Sequence, residues 1–139
     1  MATDPESPLG EAVARVGDRW TLLIVESLLE GPLRFADLAE RIGIASNILS
    51  QRLKRLEQDA LVVAQPYSER PRRFEYELTE SGRELAGALR LLASWGAQHA
   101  EGTEASRHAA CGTPLEARWY CPTCARAIDD DEATDVHFA

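Results

Sequence analysis

The chain is short of several things that would assign it quickly. Apolar runs such as Leu22-Leu23-Ile24-Val25 fall far below the roughly 20 residues needed to cross a bilayer. The N-terminus shows no basic stretch followed by an apolar one, so the expected location is cytoplasmic. There are three cysteines, all between Cys111 and Cys124. An odd, clustered set in a cytosolic chain argues against a disulfide framework and for metal or redox chemistry. No nucleophile–base pair, paired-carboxylate context or phosphate-binding loop stands out, and an enzyme is not expected. Positive charge is also scarce, with a formal net charge of −8.

What is present fits one soluble domain with an appendage. The 139 residues are 45% hydrophobic and 27% charged, enough to bury a core. The charge is unevenly spread: residues 34–73 carry eight Arg or Lys against five Asp or Glu. Contacts beyond about 8 Å are screened at physiological salt, so an acidic total does not exclude a local face for nucleic acid.

That basic region holds the most informative stretch, Phe35 to Glu57. Leu38 and Ile42 lie four apart, as one face of a short helix requires. Gly43 can take the positive φ that follows a helix end. Ser46 is the expected N-cap of a second helix with Leu49, Leu53 and Leu56 facing inward. Two helices across a glycine-containing turn make a helix-turn-helix. The outward face of the second helix presents Ser46, Asn47, Ser50, Gln51 and Lys54, residue types that bond base edges and phosphates. The competing reading is an ordinary amphipathic helix with a solvated polar face.

Around this motif the chain reads as follows. Residues 1–8 are expected to fray. Helices are expected over about 10–16 and 18–29, with Asp18 capping the second and Gly31-Pro32 ending it. Val13, Val16, Trp20, Ile24 and Leu28 lie on their apolar side, and Trp20 reads as core in preference to a ligand-stacking residue. After the helix-turn-helix, Leu61–Gln65 and Phe74–Leu78 read as strands, the latter strictly alternating. The intervening residues 66–73 read as a Pro- and Arg-rich loop. A hairpin directly after a helix-turn-helix is a winged helix. Arg70, Arg72 and Arg73 then sit at the wing, suited to phosphate or minor-groove contact, or else to a charged edge that blocks strand aggregation. Residues 80–100 read as one long helix whose stripe of Leu85, Ala88, Leu89, Leu92 and Trp95 needs a partner subunit to bury it.

With these elements in place, the chain resembles the HxlR-type winged-helix (MarR-like) transcriptional regulators. The match is carried by Val16 to Ile24, Gly31 to Leu38, Ile48 to Glu57, Arg70 to Gly82 and Trp95-Gly96. The resemblance implies a homodimer that binds a palindromic operator in double-stranded DNA, with dimer contacts from the first helices and the long C-terminal helix. It leaves a small-molecule effector as a candidate partner. Many family members carry an N-terminal Cys-Pro whose thiol senses electrophiles or oxidants; here the matching pair is Ser7-Pro8. The family also usually has Gly after the recognition helix, where this chain has Ala60. A positive φ at that alanine would cost roughly 1 kcal/mol.

Residues 101–139 extend past the resemblance. His108 and Cys111 are separated by two residues, as are Cys121 and Cys124. Two such turns supply a Cys₃His set suited to structural, tetrahedral Zn²⁺. The alternatives are bare thiols in a loose tail and a thioredoxin-like redox pair, although no βαβ pattern accompanies the latter. His99 and His137 have no partner at metal spacing, and Asp129 to Glu132 reads as a solvated acidic tail. The expected fold class is mostly α (α+β): a winged helix-turn-helix over 10–100, a zinc-ribbon hairpin over 101–127 and an acidic tail over 128–139. The expected function is a DNA-binding transcriptional regulator. The competing class is a winged-helix and zinc-ribbon module of the transcription machinery that binds proteins.

Overall fold

The computed structural model describes residues 7–133. Helix α1 spans Pro8–Val16, two residues earlier than its apolar spacing indicates. The Ser7 hydroxyl accepts from the Gly10 N–H at 2.9 Å, and Pro8, with φ already set and no N–H to satisfy, suits the first turn. Ser7 and Pro8 are therefore a built helix start. The rest of the segment expected to fray, residues 1–6, lies outside the described residues.

Helix α2 spans Arg19–Leu28. Its cap is Asp18, which accepts from the Thr21 N–H at 3.1 Å and the Thr21 hydroxyl at 2.5 Å. Ile24, Val25 and Leu28 are buried, and Trp20 packs against their cluster. Val13 does not join them. It is 52% exposed and faces away from the core.

Helices α3 (Phe35–Ile42) and α4 (Ser46–Gln58) form the helix-turn-helix. Gly43 between them has φ +71, the left-handed conformation that a side chain would strain. Ile44 then turns into the core, and the extended residue that begins α4 is Ala45. Ser46 is consequently the first helical residue and makes no capping bond, contrary to expectation. Leu49, Leu53 and Leu56 are all buried, so the inward stripe of α4 is as its spacing requires. The helix ends with the Ala60 N–H bonded to the Glu57 carbonyl and the Leu61 N–H to that of Leu56. This closure needs a left-handed residue, and Ala60 has φ +58.

The wing differs in length from its sequence reading. Strands β2 (Val62–Glu69) and β3 (Arg72–Leu78) pair to Glu69↔Arg72, leaving Arg70-Pro71 as the turn. Residues 66–69 and 72–73, expected in a loop, are strand. Pro66 concealed this because it cannot donate to a ladder, but β2 is an edge strand of the sheet, with β3 as its neighbour, where proline is tolerated. Strand β1 is only Leu33–Arg34, paired to Tyr76 and Glu75.

The helix expected over 80–100 is broken into α5 (Glu80–Arg83) and α6 (Ala86–Ala97). Gly82 is buried so tightly that a Cβ there would lie 2.2 Å from the Leu61 carbonyl oxygen. Beyond it the chain tightens through a Leu85 N–H to Gly82 carbonyl bond. Leu85 and Leu89 consequently pack on the core cluster. Leu91, Leu92 and Trp95 remain exposed. No helix among the described residues is long and apolar enough to cross a membrane.

Past α6, strands β4 (Trp119–Cys121) and β5 (Arg126–Ile128) form a separate hairpin. The boundary expected at residue 128 falls inside β5. Asp129 to Glu132 is not a free tail, because Arg126 binds Glu132 and Asp129 caps a single 3₁₀ turn, Asp130–Glu132. Residues 134–139, with His137, lie outside the described residues.

Candidate nucleic-acid interface

On α4 the exposed residues Asn47, Ser50, Gln51 and Lys54 follow the spacing that puts residues three and four apart on one helix face. They form a single polar stripe opposite Leu49, Leu53 and Leu56. Ser46 is exposed at its N-terminal end.

The cations of α4 divide into two kinds. Arg52 is held by Asp18 at 3.0 Å, and the Arg55 guanidinium donates to the Ala14 carbonyl on α1. These two fasten the helix to the rest of the domain, and Asp18 also neutralises the charge of Arg52. Lys54 has no ion-pair or hydrogen-bond partner among the described residues. Arg52 is a functional residue that the helix-turn-helix pattern alone does not single out. Its signal was position, three residues after Leu49 and so on the flank of the buried stripe.

Asp18 thus serves two helices, capping α2 and holding Arg52 of α4. Burial alone would raise its pKa. The hydrogen bonds from Thr21 and Arg52, with the Arg52 charge, outweigh that and leave it below the ordinary value. A depressed carboxylate stabilises the fold fully above its unfolded pKa, about 3.9. That contribution is lost as pH falls through the lower folded value. Asp18→Ala should cost about 1 kcal/mol at neutral pH through the cap, and the gap to wild type should close in strong acid. Paired urea titrations at pH 7 and in strong acid check this. A gap that is the same at both pH values would show that ionised Asp18 is not the stabilising species.

In the wing, Arg70 occupies the two-residue turn with Pro71, while Arg72 and Arg73 lie in β3. Strand alternation puts the latter pair on opposite faces of the sheet. Arg72 shares a face with Phe74, whose ring lies 5.3 Å from its guanidinium. Arg73 shares one with Glu75. All three are exposed, but they do not form one converging cluster. Arg34, from β1, stacks over Tyr67 of the wing at 4.2 Å, bracing the hairpin against the domain.

The four candidate metal ligands are brought together in pairs. His108 Nδ1 lies 3.2 Å from the Cys111 sulfur, and the Thr113 hydroxyl lies 3.2 Å from the same sulfur. Hydrogen bonds from Thr113, then from His108, hold the Cys111 thiol down to about 7. The Cys121 sulfur is within hydrogen-bonding reach of the Cys124 amide and thiol, which lower its pKa. Among the described residues no three potential ligands stand close enough to hold an ion.

Residues 15–104 match the HxlR-like helix-turn-helix family. The chain belongs to that family. It is 40% identical over 124 residues to Rv3095 of Mycobacterium tuberculosis (strain ATCC 25618 / H37Rv), an uncharacterised HTH-type transcriptional regulator, covering 86% of this chain and 78% of that one. It is 37% identical over 91 residues to the HTH-type transcriptional regulator YodB of Bacillus subtilis (strain 168), covering 65% and 81%. Among solved structures, the redox regulator HypR in its reduced form has a TM-score of 0.64 at 28% identity, over 67% of this chain and 93% of its own. PA1607 has a TM-score of 0.75 at 27% identity and covers 95% of both chains, so that likeness runs through the extension too. This HxlR-like protein is a transcriptional regulator of the helix-turn-helix type.

Proposed function

We propose that the protein regulates transcription as a homodimer that binds a palindromic operator in double-stranded DNA. The observation that carries this reading is the stripe Asn47, Ser50, Gln51 and Lys54. It lies on a helix fixed from behind by three buried leucines and by the Arg52–Asp18 pair. Such a helix enters the major groove as a rigid reading head, with Asn47 and Gln51 at base edges and Lys54 at phosphate. Arg70 and the flanking Arg72 and Arg73 meet the backbone or the minor groove beside it. Because Ala45 offers no capping side chain, the first-turn amides of α4, including that of Ser46, are suited to phosphate.

A palindrome needs a two-fold dimer. The exposed Leu9 and Val13 of α1 and Leu91, Leu92 and Trp95 of α6 supply apolar surface for one. Ser7 has no thiol and its hydroxyl caps α1, so no thiol switch operates from that position.

A mobility-shift assay on the DNA flanking the protein's own gene tests the reading. Retarded complexes at nanomolar protein, resistant to excess unrelated DNA, are expected. Binding no tighter to that DNA than to random sequence would instead favour a protein-binding role.

A further inference from the structure

The extension contains two turns built alike. In the first, the His108 N–H donates to the Thr113 carbonyl and the Gly112 N–H to the His108 carbonyl, each at 2.8 Å. In the second, Cys121 pairs with Arg126 across the β4–β5 ladder. Each turn closes between a residue and the one five positions on. Each carries its candidate ligands at the first and fourth places. The fifth place is left-handed in both, Gly112 at φ +71 and Ala125 at φ +54. Alanine adopts that conformation only at a cost of roughly 1 kcal/mol or more, so the surroundings must enforce it.

The extension has no buried core of its own, only exposed ion pairs and hydrogen bonds. No residue from 101 to 133 is buried, and a lone two-stranded hairpin is at best marginal in water. A segment this small ordinarily needs a cross-link or a metal. A redox CxxC begins a helix after a strand, whereas Cys124 leads into strand β5. Bonds of about 2.3 Å to sulfur and 2.0–2.1 Å to nitrogen put neighbouring ligands of tetrahedral zinc about 3.6 Å apart. The His108 Nδ1 and Cys111 sulfur stand at 3.2 Å, close to that spacing.

We propose that one Zn²⁺ ion joins the two turns through His108 Nδ1 and the sulfurs of Cys111, Cys121 and Cys124. Each turn is a preformed half-site that supplies two of the four ligands. With four protein ligands the ion has no open position, so its role is to fold the extension. This assignment stands apart from the DNA-binding reading and is tested separately.

The test uses the full-length chain, purified without a tag or chelator at neutral pH. Metal analysis should find one zinc per chain, released when a mercurial titrates the three thiols. Cobalt substitution should give the intense visible bands of a tetrahedral ion and a thiolate charge-transfer band. Each of Cys111→Ser, Cys121→Ser and Cys124→Ser should weaken that band by about a third or abolish it. Chelation should expose residues 101–133 to protease while the winged helix persists. Substoichiometric zinc that added zinc does not restore, or a Cys121–Cys124 disulfide in its place, would overturn the proposal. A cobalt spectrum unchanged in His108→Ala would overturn the four-ligand assignment. The wild-type cobalt spectrum decides the matter even if every variant misfolds.

Discussion

Gln51→Ala should strip the protein of sequence preference while leaving its general attraction to DNA almost intact. Gln51 is exposed at the middle of the α4 stripe, one turn from both Asn47 and Lys54, and its amide suits a paired contact to an adenine edge. A contact of that kind carries about 1–3 kcal/mol of discrimination, or roughly 5- to 150-fold in relative affinity. Replacing Arg70 and Arg72 together should do the opposite. Affinity for operator and random DNA should fall in parallel, and the slope of log affinity against log salt should shrink by about two. Titrating both variants against operator and scrambled DNA at several salt concentrations separates the two effects. If neither variant changes operator affinity, α4 and the wing are not the DNA face.

The exposed stripe of α4 could be read from the sequence because it is defined by subtraction. Once Leu49, Leu53 and Leu56 are assigned inward by their spacing, Asn47, Ser50, Gln51 and Lys54 have only the opposite side to occupy. The structure agrees because α4 is a regular helix whose burial is local to its own periodicity. Gly43 was legible for a similar reason, since a helix end demands a left-handed residue that glycine supplies cheaply, whereas Ala60 was picked out only by the resemblance, whose members usually have Gly there.

What was not legible depended on distant partners. Nothing near Arg52 or Arg55 in sequence says that their partners are Asp18 and Ala14, 34 and 41 positions away. The basic count of α4 therefore overstated its free charge by Arg52, which Asp18 neutralises. Strand β1, at two residues, is too short to show any alternation. The wing strands run longer than their pattern because Pro66 is excused by an edge position that only the sheet order reveals. The break between α5 and α6 likewise comes from Gly82 lodging against the Leu61 carbonyl, while the apolar spacing of residues 85–95 continues as if the helix were whole.

That break also moves the expected dimer surface. Leu89, central to the stripe in sequence, packs on the monomer's own core, so a charge there should damage folding before association. Leu92 and Trp95, 54% and 64% exposed, are the residues whose burial would have to come from a second chain. They are the apolar surface of α6 that a two-fold interface would close over. Replacing both Leu92 and Trp95 by Glu should therefore yield a folded monomer, since neither residue touches the core cluster. In the dimer it would instead place two charges per chain in a desolvated seam. Losing the second half-site contact should weaken operator binding by roughly 10²- to 10⁴-fold, with little change in affinity for a single half-site. Sedimentation at micromolar concentration, alongside circular dichroism, reads both the assembly and the fold. A wild-type protein that is monomeric under those conditions yet binds the full operator would refute the dimer, and a variant that stays dimeric would move the interface off α6.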